Sequence, residues 1–429
     1  MDILQIIDKK KNGNALTKQE IQFFVDGVCS GAIKDYQTTS LLMAICTKGM
    51  NFDETFNLTI SMANSGKTLD LSNVGDCIDK HSTGGVSDTT TLVVVPVLAS
   101  LGVKVAKMSG RSLGFTGGTA DKMEVFKGYN TEISTEEFVN LIKQNNASII
   151  SQSADFALAD KIIYKLRSDS GTVENLSLIA SSIMSKKIAC GAKVIVLDCK
   201  YGSGAFMKTK KDSIKLAKLM VEIGKKAGIK VCAVISSMEQ PLSNYVGNNF
   251  EVYSGLQVLN GQKNDLYKLS CHLCSLALVK SGKSQNQTEA QKLVEQVISN
   301  GLAIEKLKQI VKSQGGSTEV IDNPKMLLKT TNQIDIIADK TGYISAINTA
   351  GIGTISHDLQ KINGEVVRQD NTGIILSVKL GSYVQKGDKL ATMYYNNLDN
   401  LRELNTELQN CFTIGKKTKK SKLIDCVIE

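Results

Sequence analysis

A chain of 429 residues, 42% hydrophobic and 22% charged, can bury a sizeable core and points to two domains or one large interleaved one. No stretch approaches the ~20 consecutive apolar residues of a membrane span. Met1-Asp2-Ile3-Leu4-Gln5 lacks the basic and apolar regions of a secretory signal, so a cytoplasmic protein with no membrane partner is expected. The formal charge is +9, but Lys416, Lys417, Lys419, Lys420 and Lys422 crowd one tail stretch, and without those five the balance falls to +4. That balance suits a small anionic substrate, and no nucleic-acid partner is expected.

Ten cysteines without framework spacing read as free thiols of a reducing compartment. Cys271 and Cys274 bracket His272 in an apolar, helix-like run from Leu266 to Leu278. With no second pair to complete four zinc ligands, they read as core cysteines.

In chain order, residues 1–65 read as helices. Thr17 and Glu20 have capping-box spacing, and Ile21, Phe24, Val25 and Val28 recur at helical intervals. Val103 to Met108 is a short strand before a glycine-rich stretch. Thr89 to Val95 is β-branched enough for a strand, but Asp88 as a cap and the preceding glycines favour a helix start. Leu158 to Ala189 is helical again. Lys193 to Cys199 is a continuous apolar strand of the buried kind; Asp212 caps a helix through Lys226, Gly228 ends it, and Ile229 to Ser236 is the next strand. That βαβ unit implies a parallel sheet. From about Asp335 the pattern is all-β.

The expected class is α/β. Residues 1–65 and 158–190 form a helical domain beside a larger α/β domain, 66–157 and 191–334, with a mainly parallel central sheet. The β-rich C-terminal portion, 335–429, resembles the barrel half of biotinyl and lipoyl carrier domains. Carriers present an acceptor lysine in the following hairpin, where this chain has Tyr394-Tyr395-Asn396-Asn397, so a structural use is expected. A cleft between two such bodies is a common ligand site.

Two glycine-rich loops stand out, Asp79 to Thr91 (DKHSTGGVSDTTT) and Lys107 to Asp121 (KMSGRSLGFTGGTAD). Glycines let backbone N–H groups approach an oxyanion, and a following helix N-terminus adds a favourable dipole. Neither loop has Walker A spacing. Two such loops after two parallel strands can converge on one phosphate. On the helical stretch, Ser182 and Lys186 are four apart and share a face. His81 is the only histidine in a candidate site; His272 lies in the apolar helix and His357 in a β-rich loop.

KHSTGGV (Lys80 to Val86), SGRSLGFTGGTADKME (Ser109 to Glu124), Tyr164 to Arg167, Ser181 to Lys187, DCKYGSGAFMK (Asp198 to Lys208) and Gln240-Pro241-Leu242 run in order over essentially the whole chain. Together they resemble the signature of the thymidine and pyrimidine-nucleoside phosphorylase family. The resemblance implies reversible phosphorolysis of pyrimidine nucleosides to free base and (deoxy)ribose 1-phosphate, with inorganic phosphate as co-substrate and no organic cofactor. It assigns phosphate binding to Lys80, His81, Ser82, Thr91, Lys107, Met108, Ser109 and Thr119, and base binding to Arg167, Ser182 and Lys186. His81, Arg167 and Lys186 become the catalytic set, with His81 as proton or hydrogen-bond donor to the pyrimidine 2-carbonyl.

The family also implies a potassium ion held by Ser87, Thr89, Leu242, Tyr245 and Ser254, and a homodimer formed through the helical domain. Ser254 stands where close relatives carry an acidic residue and Ser87 where they carry glycine. Phe115 replaces a common histidine, Ser112 a glycine, and Ser168-Asp169-Ser170-Gly171 departs after the arginine. Relatives strict for 2′-deoxyribosides carry methionine at the position of Lys107, and broad enzymes carry lysine. Uridine, thymidine and deoxyuridine are therefore the expected substrates. A strict thymidine phosphorylase and an enzyme like anthranilate phosphoribosyltransferase, which shares the fold and a similar loop, are the rival readings.

Overall fold

The computed structural model describes residues 1–111, 114–152, 156–330, 332–362, 365–366, 371–396, 401–418 and 421–429. Ser112, Asn397, Lys419 and Lys420 lie outside the described residues.

Four helices open the chain: α1 (Ile3–Lys11), α2 (Lys18–Ser30), α3 (Asp35–Lys48) and α4 (Phe52–Ala63). Thr17 and Glu20 form the capping box that their spacing predicts. Asn51 and Glu54 build a second one at α4. Buried Glu54 also accepts from Lys10 Nζ at 2.7 Å and Leu16 N at 2.8 Å, so one carboxylate caps α4 and ties α1 to it.

The α/β layer begins with β1 (Cys77–Ser82), α5 (Thr90–Ser100), β2 (Lys104–Ser109), α6 (Thr119–Met123), α7 (Thr135–Asn145) and β3 (Ala147–Ser151). The β-branched Thr-Thr-Leu-Val-Val-Val run is the helix α5; its cap position is Thr89 rather than Asp88, although Asp88 Oδ1 accepts from Thr90 N at 3.3 Å. Thr90 through Ala99 are all buried, and packing on every side outweighs weak helix propensity. Next, α8 (Leu158–Ser170) and α9 (Leu176–Ala189) return to the first helices. Ala159, Ile163 and Leu178 share a core with Phe24, Leu41, Leu42 and Ile45.

A βαβ unit follows: β4 (Val194–Tyr201), α10 (Lys210–Lys226) and β5 (Lys230–Ser237). Every residue of β4 is buried, as its unbroken apolar run predicts. The cap of α10 is Thr209 rather than Asp212; the threonine oxygen accepts from Asp212 N at 3.1 Å, and Asp212 sits inside the first turn. Then come β6 (Tyr245–Val246), α11 (Asn248–Leu259), α12 (Asp265–Lys280), α13 (Gln287–Ser299), α14 (Leu302–Ser313) and α15 (Glu319–Asp322). Cys271 and Cys274 lie buried in α12 as free thiols.

The C-terminal part holds β7 (Asn332–Ile337), β8 (Gly342–Ile347), α16 (Thr349–Asp358), β9 (Lys361–Ile362), β10 (Glu365–Val366), β11 (Gly373–Leu376), β12 (Tyr383–Val384), β13 (Lys389–Tyr395), α17 (Leu401–Asn410), β14 (Phe412–Gly415) and β15 (Ile424–Ile428). It is β-rich but not all-β. Asn348 caps α16 through Gly351 N at 3.0 Å, and His357 sits in that helix instead of a loop. In α17, Leu404 and Leu408, four apart, bury one face of an otherwise polar sequence.

The central sheet runs β15-β5-β4-β1-β2-β3. Five strands are parallel, and β15 closes one edge antiparallel to β5. Helices α5 and α11–α14 cover one face with the largest core, and α9 and α10 cover the other beside β4 and β5. The antiparallel sheets β6-β11-β13-β7 and β12-β8-β14 carry their own core.

Candidate active site

Strands β1 and β2 are parallel neighbours, so the loops that follow them leave the same sheet edge, where open α/β sheets bind ligands. The last residues of β1 are Asp79, Lys80, His81 and Ser82; those of β2 are Lys107, Met108 and Ser109. In the first loop Gly84 has φ +94°, and a Cβ on Gly85 would lie 2.8 Å from Lys200 Cδ, so the turn needs glycine at both positions.

Lys80 and Lys107 are almost wholly buried. Lys80 Nζ meets Thr90 Oγ1 at the start of α5, and Thr90 Oγ1 also meets Asp88 Oδ1 at 2.5 Å. Lys107 Nζ donates to Lys80 O at 2.6 Å and lies 3.4 Å from Asp79 Oδ1. Lys187 Nζ, reaching over from α9, donates to Asp79 Oδ2 at 2.6 Å and to Met108 O at 3.1 Å. One fully buried carboxylate thus serves two ammonium groups from different elements.

The charge balance decides protonation. Burial pushes the Lys107 ammonium down to about 7; Asp79 opposes that shift, while Lys187 and Lys80 add to it. Burial opposes charge on Lys187 as well, but Asp79 more than offsets it and holds that group above its ordinary value. Burial and then Lys187, Lys107, Lys80 and Lys186 hold His81 well below the ordinary imidazole value. Its ring is therefore neutral at pH 7, a donor of one N–H and not a strong acid. Burial works against charge on the half-buried Asp88, yet Lys200, Lys80 and Lys122 keep its carboxylate ionised, far below the usual range.

Ser82 and Ser109 are half-buried at the loop starts, Thr119 is half-buried at the first position of α6, and Thr91 lies in the first turn of α5. The Ser82 oxygen accepts from Gly84 N at 3.1 Å. Met108 turns its thioether into the core, 3.1 Å from the Cys190 sulfur.

On the helical body, Ser182 and Lys186 do share a face of α9. Lys186 Nζ meets Ser182 Oγ at 2.8 Å and is held by Asp160 of α8. Arg167, on α8, is only 1% exposed. It donates to Thr172 O at 3.2 Å, Leu178 O at 3.1 Å and Val173 O at 2.7 Å, which leaves part of its five-donor fork free. Burial lowers its pKa, and Asp160 acts against that shift.

Sequence reasoning gave no role to Asp79, Asp160 or Lys187. A carboxylate in an otherwise buried strand demands a partner, so Asp79 did carry a signal. Nothing in the spacing of Asp160 foretold its contact with Lys186, twenty-six residues on.

Four of the five residues of the expected cation site, Ser87, Thr89, Leu242 and Tyr245, lie close together. Ser87 Oγ donates to Tyr245 O at 2.7 Å, Leu242 N donates to Val86 O at 3.3 Å, and Thr89 Oγ1 lies 3.3 Å from the Glu251 carboxylate. Ser254 is fully buried, and its hydroxyl has no hydrogen-bond partner among the described residues. Phe115, in the second loop, packs on Phe206 with ring centroids 5.4 Å apart and lies under the Lys208 ammonium.

Residues 4–66 match the helical bundle domain of a glycosyl transferase family, and residues 74–304 match its a/b domain. Over its full length, and over all of each relative, the chain is 45% identical to a pyrimidine-nucleoside phosphorylase of Bacillus subtilis and 44% to one of Staphylococcus epidermidis. The chain belongs to the thymidine and pyrimidine-nucleoside phosphorylase family. Among solved structures, anthranilate phosphoribosyltransferase from Thermus thermophilus superposes with a TM-score of 0.61 at 18% identity, covering 73% of this chain and 99% of that one. Such a likeness speaks to fold alone. Among the described residues, no helix is long and apolar enough to cross a membrane.

Proposed function

We propose that this chain catalyses phosphorolysis of pyrimidine nucleosides, accepting uridine, thymidine and deoxyuridine. The observation that carries the reading is the surrounding of His81. Lys107 of β2 and Lys187 of α9 converge on Asp79, two residues before His81 and next to Lys80 on β1, so the phosphate-side and base-side elements meet beside this imidazole.

In this reading phosphate lies against Lys80, Ser82, Thr91, Lys107, Ser109 and Thr119, with Met108 offering main chain only. Arg167, Ser182 and Lys186 hold the base. The C1′–N1 bond breaks with its electron pair leaving on the base, and a phosphate oxygen bonds C1′. The base takes up the proton that the attacking hydrogen phosphate gives up, and the products are free base and sugar 1-phosphate. The His81 N–H stabilises charge building on the 2-carbonyl oxygen, help typically worth ~10²–10⁴-fold. Holding phosphate near the anomeric carbon among fixed cations supplies the rest.

A homodimer through the helical body fits the exposed Leu4, Tyr36 and Met43 of α1 and α3. The free cysteines suit the cytoplasm. The deciding experiment incubates the enzyme with uridine, thymidine or deoxyuridine, with and without phosphate, and follows ultraviolet absorbance and sugar products. Phosphate-dependent release of sugar 1-phosphate is expected. Equal rates without phosphate, releasing free sugar, would make the enzyme a hydrolase.

A further inference from the structure

The residues that family likeness assigns to a potassium ion do not fit one. A dehydrated monovalent cation needs carbonyl or hydroxyl oxygens with free lone pairs, and a carboxylate to offset its charge. Here the Ser87 hydroxyl, the Tyr245 carbonyl and the Thr89 hydroxyl are already engaged. Tyr245 O accepts from the Ser87 hydroxyl at 2.7 Å and lies 3.2 Å from the Ser243 hydroxyl. The two serine oxygens are themselves 2.7 Å apart, and Ser243 N donates to Ser87 Oγ at 3.2 Å. The hydroxyl of Thr89 is turned toward Glu251.

Ammonium groups of the chain itself hold neighbouring acceptors. Lys122 Nζ donates to Asp88 O at 2.7 Å and pairs with Glu251 at 2.6 Å, so the carboxylate nearest Thr89 is neutralised. Lys379, half-buried and pushed down to about 8 by loss of water around it, donates to Pro241 O at 2.5 Å and Ser243 O at 3.1 Å. Where relatives carry an acidic residue, Ser254 contributes an uncharged, unpartnered hydroxyl. Ser87 adopts φ +61°, a left-handed conformation that suits the glycine of relatives. A side chain kept there against that preference is one whose hydroxyl is used.

We infer that the Ser87 hydroxyl clamps the first phosphate loop to residues 242–245 in place of a bound cation, so that this enzyme needs no potassium. The clamp joins the loop carrying Lys80 and Ser82 to the segment leading into α11. Its loss would loosen the loop and weaken phosphate binding.

The test compares wild type and Ser87→Gly in potassium chloride and in N-methylglucamine chloride at equal ionic strength, reading Tm and the KM for phosphate. For wild type we expect both to be unchanged between the salts, with Tm within about 1 °C, since a bound ion would raise Tm by mass action. Ser87→Gly, which relieves the left-handed strain and so does not threaten folding, should raise the KM for phosphate about fivefold, the scale of one lost hydrogen bond. A potassium-dependent rise in wild-type Tm, or a variant with wild-type KM, would overturn the clamp. The Tm arm decides even if no pyrimidine nucleoside proves to be a substrate, so the two readings fail separately.

Discussion

Asp79 and Lys187 meet at 2.6 Å, carboxylate to ammonium, across the junction between the central sheet and helix α9. Lys187 is the immediate neighbour of Lys186, and Asp79 that of Lys80. One buried ion pair therefore sets the spacing between the base-side and phosphate-side residues. Removing one member of such a pair typically costs ~3–5 kcal/mol, because a buried charge is left alone. Asp79→Asn should lower Tm, raise KM for both phosphate and nucleoside, and reduce kcat by more than tenfold. Steady-state kinetics with melting curves check this; a kinetic effect confined to phosphate would show that the pair does not couple the two sides.

The roles of the adjacent loop residues should separate. His81→Ala should reduce turnover ~10²–10⁴-fold with little change in phosphate KM, whereas Lys80→Ala should mainly raise that KM. Near-wild-type turnover in His81→Ala would make the imidazole structural.

Phosphate binding should take up protons. Lys107 sits at about 7 when free, and a bound dianion favours its charged form and raises that value. Above pH 7 the free enzyme has lost the proton that the complex retains, so the KM for phosphate should climb as pH rises toward 9. Calorimetric titrations in buffers of different ionisation enthalpy should give heats that reveal net proton uptake at pH 8. Buffer-independent heats would mean that Lys107 is fully charged beforehand.

Sugar choice should rest on the same lysine. A methionine thioether cannot satisfy a buried 2′-hydroxyl, and leaving it unpaired costs ~1–3 kcal/mol. Lys107→Met should therefore lower efficiency on uridine more than on thymidine. If wild type already rejects uridine by about a thousandfold relative to deoxyuridine, ~4 kcal/mol, the strict thymidine reading replaces the broad one.

The sheet edge offers a stability test. Strand β15 covers β5, and Asp425 ties it down through Tyr201 and through Lys210 at 2.6 Å. Truncation before Leu423 should bare the β5 edge and give aggregation-prone protein. Soluble truncated enzyme with unchanged Tm would show that the strand is dispensable.

Elements with local causes were legible in the order of residues alone. The Thr17–Glu20 box, the βαβ unit around Val194 to Ser237, the glycine loops and the Ser182–Lys186 face follow from spacing and side-chain chemistry within a few residues. Motif likeness named the family for the same reason, since each signature is a short run. Local pattern misjudged the end of the chain, where α16 and α17 lie among short strands and take their faces from packing. Whatever depends on charges far apart in the chain had to wait for the folded arrangement. Lys107 titrates near 7 and His81 stays neutral because burial strips both of water and the charges of Lys187 and Lys80 act on both, an effect that depends on distance and desolvation. The same is true of Ser87, a departure from glycine in sequence, whose meaning appears only with Tyr245 at 2.7 Å.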